Sequence, residues 1–183
     1  MGEEKFSGTL AAAKAGDQGA WEEIFNWLAP MVLGYLRTNA APDPEDVLGE
    51  TFLQVARDIP RFEGEEAGFR SWVFTVAHHR LIDARRHSAR RPVELSADPP
   101  EPEEPADDAA VEALERIGTE RVHRILAALS EDQRAVLMLR FVADMSVEDV
   151  ARAVGKRPGA VKALQRRGLA AVERLLTRGG VSL

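Results

Sequence analysis

Apolar residues recur along the chain at the spacing of α-helices. In the first such stretch, four of them occupy positions i, i+3, i+4 and i+7, which places them on one face of a helix. They are Trp21, Ile24, Phe25 and Leu28, and the stripe continues past Pro30 with Met31, Val32, Tyr35 and Leu36. Packing into a hydrophobic core is a sufficient explanation for this face.

Two further helices are predicted before residue 91. Asp43 and Pro44 are typical of a helix start, because the aspartate can cap the first amides and proline fits the first turn. This helix should end before Pro60, and the next should run from about Phe69 to His87. Their apolar positions are Val47, Leu48, Thr51, Phe52, Val55 and Ile59 in the former, and Phe69, Trp72, Val73, Val76 and Ala77 in the latter.

The stretch after residue 112 predicts four short helices. Ser130 and Gln133 form a capping-box pattern, and Ser146 opens a helix that breaks at Gly155 before Pro158 begins the last one. The apolar positions are Leu114, Ile117, Ile125, Leu126 and Leu129, then Val136, Leu137, Leu139 and Phe141, then Val147, Val150, Ala151 and Val154, and finally Val161, Leu164, Leu169, Val172, Leu175 and Leu176.

The last two helices have the spacing of a helix-turn-helix. Small Ala151 allows close approach, Gly155 permits a left-handed turn, and Val161 fills the shared core. No acidic residue occurs between Asp149 and Glu173. Arginine and glutamine can read base edges in a major groove, so this pattern predicts DNA binding, with a solvated basic face as the alternative. The donors are Lys156, Arg157, Lys162, Gln165, Arg166 and Arg167.

Charge divides the chain into three segments. Residues 1–91 carry 11 basic and 14 acidic side chains, residues 92–112 carry no basic and 8 acidic ones, and residues 113–183 carry 13 and 8. The middle segment also holds five of the ten prolines, so it is predicted to be a flexible, extended linker. We therefore predict an all-α protein with two small helical domains, 1–91 and 113–183, the second a helix-turn-helix whose positive charge suits phosphates.

Composition excludes several classes of protein. No apolar run approaches the roughly 20 residues of a membrane helix, and the first residues lack the layout of a secretory signal, so we expect a cytoplasmic protein without membrane insertion. With no cysteine and four scattered histidines, neither a metal site nor a cofactor is predicted. His79 and Asp83 stand one helical turn apart, but no third ligand or activated nucleophile accompanies them, so no catalytic site is expected.

Segments of both predicted domains resemble the extracytoplasmic-function sigma factors, the smallest class of the sigma-70 family. Residues 43–62 resemble the helix that binds the polymerase clamp, and residues 69–91 resemble the segment that melts and reads the minus-ten promoter element. Residues 128–176 resemble the domain that binds the minus-thirty-five element. The resemblance implies a factor that binds core RNA polymerase at its clamp and flap regions and directs promoter-specific initiation, while the polymerase supplies the chemistry.

The resemblance also implies three sets of site residues. Polymerase binding is assigned to Asp46, Val47, Glu50, Thr51, Phe52 and Val55. Minus-ten recognition is assigned to Phe69, Trp72, His78, His79, Arg80, Asp83, Arg85 and Arg86. Minus-thirty-five recognition is assigned to Lys156, Arg157, Pro158, Gly159, Lys162, Gln165, Arg166 and Arg167. Core packing is the alternative for Phe52, Val55 and Trp72, and Asp83 is expected to orient a neighbouring arginine.

The chain departs from the family pattern in two places. Gly49 stands where the docking helix commonly has glutamine, and a glycine inside a helix costs about 0.5–1 kcal/mol against alanine. Residues 160–164 replace a common Thr-Val-Lys-Ser-Arg run and lack its two hydroxyls. We therefore expect Lys156, Arg157 and Arg166 to contribute more of the phosphate anchoring.

Two other functions remain open from the sequence. A stand-alone helix-turn-helix regulator would use the first domain for dimerisation or effector binding, and a helical adaptor would bind an acidic protein through its basic helix. Neither accounts for the clamp-binding and strand-opening segments. As a sigma factor the chain is expected to be controlled by an anti-sigma partner, because it ends soon after the last predicted helix. The resemblance also implies that the acidic linker threads through the basic polymerase cleft, and a solvated tether that only sets the effective concentration of the two domains is the alternative.

Overall fold

The computed structural model describes residues 2–90, residue 122 and residues 124–178. These residues contain α-helices and no strand, which confirms the all-α prediction for this part of the chain. In the N-terminal unit, residues 2–90, α1 spans Glu3–Lys14, α2 Gln18–Thr38, α3 Pro44–Asp58 and α4 Glu66–Arg90, with a 3-10 turn at Ile59–Arg61. In the C-terminal unit, residues 124–178, α5 spans Glu131–Phe141, α6 Val147–Ala153 and α7 Pro158–Arg178. The predicted linker and the apolar residues Leu114 and Ile117 lie outside the described residues.

Four helices begin where the sequence predicts, and one of them is α7, which starts at Pro158. Side chains cap the other three. The Asp43 side chain accepts a hydrogen bond from the Asp46 amide (3.0 Å), and Pro44 is the first residue of α3. Ser130 caps α5 in a reciprocal capping box, and Ser146 caps α6. Each cap satisfies an amide that the helix leaves free, which contributes about 1 kcal/mol.

The first helix was not predicted. Phe6, Leu10 and Ala13 of α1 are all buried, and they stand at i, i+4 and i+7, so a helical stripe was present in the sequence. α4 is also longer than predicted, since it begins at Glu66 rather than Phe69 and ends at Arg90 rather than His87. Both differences add helical surface around the predicted minus-ten segment.

The core of the N-terminal unit forms around α2, which packs against α1, α3 and α4. Ile24, Leu28 and Val32 of its inner face are completely buried, as the stripe predicts, while Pro30 lies on the exposed side. Burying an aliphatic side chain of this size stabilises the fold by roughly 1.5–3 kcal/mol. This packing fixes α3 and α4 relative to each other.

The C-terminal unit contains the predicted helix-turn-helix. α6 and α7 meet across Gly155, whose φ of +64° lies in the left-handed region. Val161 is completely buried and Ala151 nearly so, as the steric pattern requires. Gly168 of α7 lies against Leu137 of α5, where an added Cβ would stand 3.0 Å from a leucine methyl carbon. The recognition helix is therefore held by both α5 and α6.

The two units pack against each other, chiefly through α4 and α6. Between the described residues of the two units there are five hydrogen bonds, and three of the five end on backbone carbonyls. These three join Arg70 Nε to the Ala143 carbonyl (2.9 Å), His79 Nε2 to the Ala153 carbonyl (3.1 Å) and Arg134 Nη1 to the Thr38 carbonyl (3.1 Å). The other two end on carboxylates and join Arg70 Nη2 to Asp144 Oδ2 (3.2 Å) and Arg85 Nη1 to Glu131 Oε2 (3.1 Å).

Candidate nucleic-acid interface

The predicted docking helix α3 presents its acidic residues to solvent. Asp46 and Glu50 are exposed, whereas Val47, Thr51 and Val55 are buried on the opposite face. The Thr51 hydroxyl donates a hydrogen bond to the Val47 carbonyl (2.7 Å), which satisfies it inside the core. The three buried side chains offer a partner no surface in this structure, and they hold α3 in place.

Two large apolar side chains, one on α3 and one packed beside it, are exposed. Leu53 is 69% exposed and Phe25 of α2 is 42% exposed. The ring of Phe25 packs edge-on against that of Phe52, with centroids 4.8 Å apart, so Phe52 itself is 7% exposed. The sequence prediction missed Leu53 and placed Phe25 in the core. Leu53 lies off the i, i+3, i+4 stripe of α3, and that offset was the available signal.

The aromatic members of the predicted minus-ten set lie at the start of α4. Phe69 is completely buried, and its ring meets those of Phe6 (5.4 Å) and Phe62 (5.1 Å). Trp72 is half-buried and stacks on Phe62 at a centroid distance of 5.3 Å. Phe69 is therefore a core residue in this structure, whereas Trp72 keeps part of its ring exposed.

His78 is buried within the N-terminal unit. Its Nδ1 lies 2.7 Å from the hydroxyl oxygen of Tyr35, which is itself completely buried. Burial lowers the pKa of His78 to about 4, assisted by the nearby His79 and the positive charge of Arg85. Burial also raises the pKa of the Tyr35 hydroxyl. Both groups are neutral at pH 7, and His78 has almost no surface to offer DNA.

The polar residues of α4 have different partners. His79 and Arg85 bond to the C-terminal unit, and Arg85 also donates to the Asn39 carbonyl at the end of α2. Asp83 lies 3.6 Å from Arg86 in an exposed pair, which is the expected orientation of an arginine by this carboxylate.

Arg80 turns toward α3. Its Nε donates to Gln54 Oε1 (2.9 Å), and its Nη1 lies 3.7 Å from Glu50 Oε2. The predicted polymerase-binding helix and the predicted minus-ten helix are thus connected through a single guanidinium group.

The recognition helix α7 presents a basic surface. Lys156 lies just before it and pairs with Asp132 of α5 at 2.9 Å, with a third of its side chain exposed. Gln165 is partly exposed, and the remaining predicted residues are exposed: Arg157, Pro158, Gly159, Lys162, Arg166 and Arg167. The structure thus brings all eight predicted minus-thirty-five residues to the turn or to α7. The arrangement suits a negatively charged duplex groove.

Among the residues that the structure describes, no group of three or more histidine and acidic side chains could hold a metal ion. No helix of the described part combines the length and the apolar character needed to cross a membrane.

Comparison with known proteins identifies both units. The family described as Sigma-70 region 2 matches residues 24–91, and Sigma-70, region 4 matches residues 119–172. The chain is 32% identical over 176 residues to the ECF RNA polymerase sigma factor SigD of Mycobacterium tuberculosis, covering 91% of this chain and 81% of that protein. It is 33% identical over 177 residues to SigL, an ECF RNA polymerase sigma factor of the same species, covering 94% and 98%. α1 precedes the region 2 match.

The fold is also found among solved structures. CnrH, solved in complex with the cytosolic domain of CnrY, aligns with a TM-score of 0.63 at 22% identity, covering 93% of this chain and 96% of CnrH. At this identity the alignment establishes the shared helical fold.

Proposed function

The chain belongs to the extracytoplasmic-function RNA polymerase sigma factors, which recognise promoters for the polymerase, and on that premise we propose which helices perform each step of initiation. In this proposal α3 docks on the polymerase clamp, α4 reads and helps to open the minus-ten element, and the helix-turn-helix reads the minus-thirty-five element. The observation that most supports it is the separation of charge, with an acidic docking face on one unit and, on the other, a basic helix that carries no acidic residue before Glu173.

Docking uses the exposed face of α3. Asp46 and Glu50 supply negative charge, and Leu53 with Phe25 supplies an apolar anchor beside it. Charge complementarity would steer the encounter and a desolvated apolar contact would slow dissociation. Buried Val47, Thr51 and Val55 contribute by fixing the position of the helix.

Minus-ten recognition uses the outer side of α4. Trp72 offers ring surface to an unpaired base, and stacking of this kind contributes about 1–3 kcal/mol per base. Arg80, Arg85 and Arg86 supply cations to the backbone of the strand. Phe69 and His78 support the helix from within.

Minus-thirty-five recognition uses α7 in the major groove. Gln165, Arg166 and Arg167 stand where they can meet base edges and phosphates, while Lys156 and Arg157 anchor the backbone beside the helix start. The turn at Gly155 sets the angle at which α7 enters the groove.

Binding both elements requires the two units to separate. By their names the elements lie about 25 base pairs apart, which is about 85 Å along B-form DNA. In this structure His79 of α4 bonds directly to Ala153 of α6. The interactions between the units are therefore present only in the protein that is not bound to DNA. In this proposal polymerase binding separates the units and so exposes His79 and Arg85.

The wider setting follows from the family. The proposed partners are core RNA polymerase at its clamp and flap regions, promoter DNA, and an anti-sigma protein that covers the same surfaces. We propose that the protein acts in the cytoplasm, joins the nucleoid when bound to polymerase, requires no cofactor, and leaves catalysis to the polymerase.

The assignment of α7 is tested by the Arg166→Ala variant in polymerase holoenzyme. We expect it to weaken binding to a duplex carrying the minus-thirty-five element by about 1–3 kcal/mol, because a lost base contact of this kind has that value. The matched control is Arg174→Ala, which removes an exposed arginine two turns further along the same helix. Equal effects of the two variants would overturn the assignment.

A stand-alone regulator would behave differently. It would protect specific duplex DNA without polymerase, whereas the proposed factor gains its promoter affinity in the holoenzyme. Footprinting of the same DNA with and without core polymerase separates the two functions.

A further inference from the structure

Arg80 belongs to the promoter-reading helix, but its side chain is held by the docking helix. Gln54 and Glu50 stand one turn apart on α3, and both reach the same guanidinium, at 2.9 Å and 3.7 Å. The Arg80 side chain is 33% exposed and that of Glu50 is 53% exposed. The contact therefore lies at a surface that both polymerase and DNA can reach.

Glu50 has one carboxylate for two positive partners. In the free protein it lies beside Arg80, and in the proposed complex it faces a basic surface of the polymerase. A cation that approaches Glu50 from outside competes with Arg80 for the carboxylate oxygens. Docking would then leave Arg80 with the uncharged Gln54 as its partner, and its own charge would be available to a phosphate.

We propose that Arg80 is a positioning residue that couples polymerase docking to promoter reading. Before docking, Arg80 and Glu50 neutralise each other. When polymerase engages Glu50, Arg80 is released toward the DNA strand that runs along α4. This inference rests on the proposed docking role of Glu50, and it adds a reason why promoter affinity should appear only after polymerase has bound.

The proposal predicts opposite effects from a single substitution. Arg80→Gln removes the internal competitor of Glu50, so core polymerase should bind more tightly. The same variant removes a cation from the DNA surface, so the holoenzyme should bind promoter DNA more weakly. Exposed ion pairs of this kind change an equilibrium by up to about fivefold, which sets the expected size of the first effect.

Core affinity can be measured by fluorescence anisotropy. The chain has no cysteine, so Ser7→Cys on the exposed side of α1 accepts a single dye. We expect Arg80→Gln to tighten binding two- to fivefold and Glu50→Gln to weaken it. The double variant should match Glu50→Gln alone, because Arg80 then has no carboxylate to compete for. Arg174→Gln, which removes an exposed arginine of α7 in the other unit, controls for the general loss of positive charge.

DNA affinity is measured with the same variants in holoenzyme. The probe is a single-stranded non-template oligonucleotide from a promoter that the wild-type holoenzyme transcribes. Arg80→Gln should bind it several-fold more weakly and with a smaller dependence on salt, since one phosphate contact is lost. Arg80→Lys keeps the charge without the Nε donor and should lie between wild type and Arg80→Gln in both assays.

The outcomes separate the inference from the function on which it rests. If Glu50→Gln weakens core binding while Arg80→Gln also weakens it or leaves it unchanged, Arg80 has only a structural role and the inference is overturned. The docking proposal would stand in that case. If Glu50→Gln leaves core binding unchanged, the docking role of Glu50 and the coupling both fail. Circular dichroism melting of each variant establishes that the compared proteins are folded, and Arg80→Lys replaces Arg80→Gln if the latter is not.

Discussion

Tyr35 and His78 form a buried polar pair inside the N-terminal unit. Their side chains share a hydrogen bond of 2.7 Å. Charging either side chain would cost free energy, because burial removes the solvent that would stabilise the charge. A buried and satisfied polar pair can specify how α2 and α4 align. It also makes the fold sensitive to acid.

The pH dependence of stability follows from the pKa of His78. In the unfolded chain His78 gains a proton near pH 6.5, whereas in the folded protein its pKa is about 4. Between these values the unfolded state binds more protons, so the free energy of unfolding falls as the pH is lowered. Across the whole window His78 accounts for a loss of about 3 kcal/mol at most.

Urea denaturation at several pH values from 7.5 to 4 measures this loss. The comparison is with His78→Asn, which keeps a hydrogen-bond acceptor for Tyr35 and cannot take up the proton. The carboxylates contribute equally to both proteins, so the difference in slope belongs to His78. Parallel curves for the two proteins would contradict the account.

Residue-scale predictions from the sequence succeeded where periodicity determines burial. The α2 stripe of Ile24, Leu28 and Val32 is buried as predicted. The exposure of Leu53 could have been predicted from its offset from the α3 stripe. The burial of His78 could not, because it depends on how α2 and α4 pack against each other. A hydrophobicity pattern shows which residues share a helix face, but it does not show which other helix packs against that face.

At the scale of helices and turns, Gly155 determines how α6 meets α7. Its φ of +64° costs a residue with a Cβ about 1–2 kcal/mol, although no atom stands within 4 Å of the added carbon. We expect Gly155→Ala to lower the free energy of unfolding by that amount and to weaken minus-thirty-five binding. Chemical denaturation and a duplex-binding assay in holoenzyme measure the two effects.

Gly49 provides a control for Gly155, because the same substitution to alanine should have the opposite effect on stability. It lies in the middle of α3, its Cβ position is also open, and its backbone is helical. Gly49→Ala should therefore stabilise the protein by about 0.5–1 kcal/mol. If both substitutions changed stability in the same direction, the conformational explanation for Gly155 would be wrong.

The sequence predicted most helices from local chemistry. Asp43, Ser130 and Ser146 each cap the helix they were expected to begin, since capping depends only on residues within one turn. α1 was missed although its stripe of Phe6, Leu10 and Ala13 was readable. Its burial depends on contacts with Trp27 and Phe69, which lie far away in sequence.

At the scale of the whole molecule, the packing of the two units was beyond prediction. It depends on single polar contacts between residues 46 to 96 positions apart, such as Arg85 with Glu131 and Arg134 with Thr38. Such contacts leave no periodic trace in the sequence. Each of these contacts is weak in water, so a partner that binds either surface should be able to separate the two units.

Charge reversal tests how readily the units separate. The double variant Glu131→Arg, Asp144→Arg repels Arg85 and Arg70 across the interface, so the radius of gyration measured by small-angle X-ray scattering should rise. The matched control, Glu22→Arg with Glu173→Arg, makes the same change in net charge at exposed positions. An unchanged radius in the first variant would mean that these pairs do not hold the units together.

The central claim is that this chain gives RNA polymerase a promoter that core enzyme alone does not use. Run-off transcription from a promoter library, with and without the purified protein, tests it most directly. With the wild-type protein we expect transcripts from promoters with two elements. These transcripts should be lost with Glu50→Lys, and selection of the upstream element should be reduced with Arg166→Ala. Identical transcripts with and without the protein would contradict it.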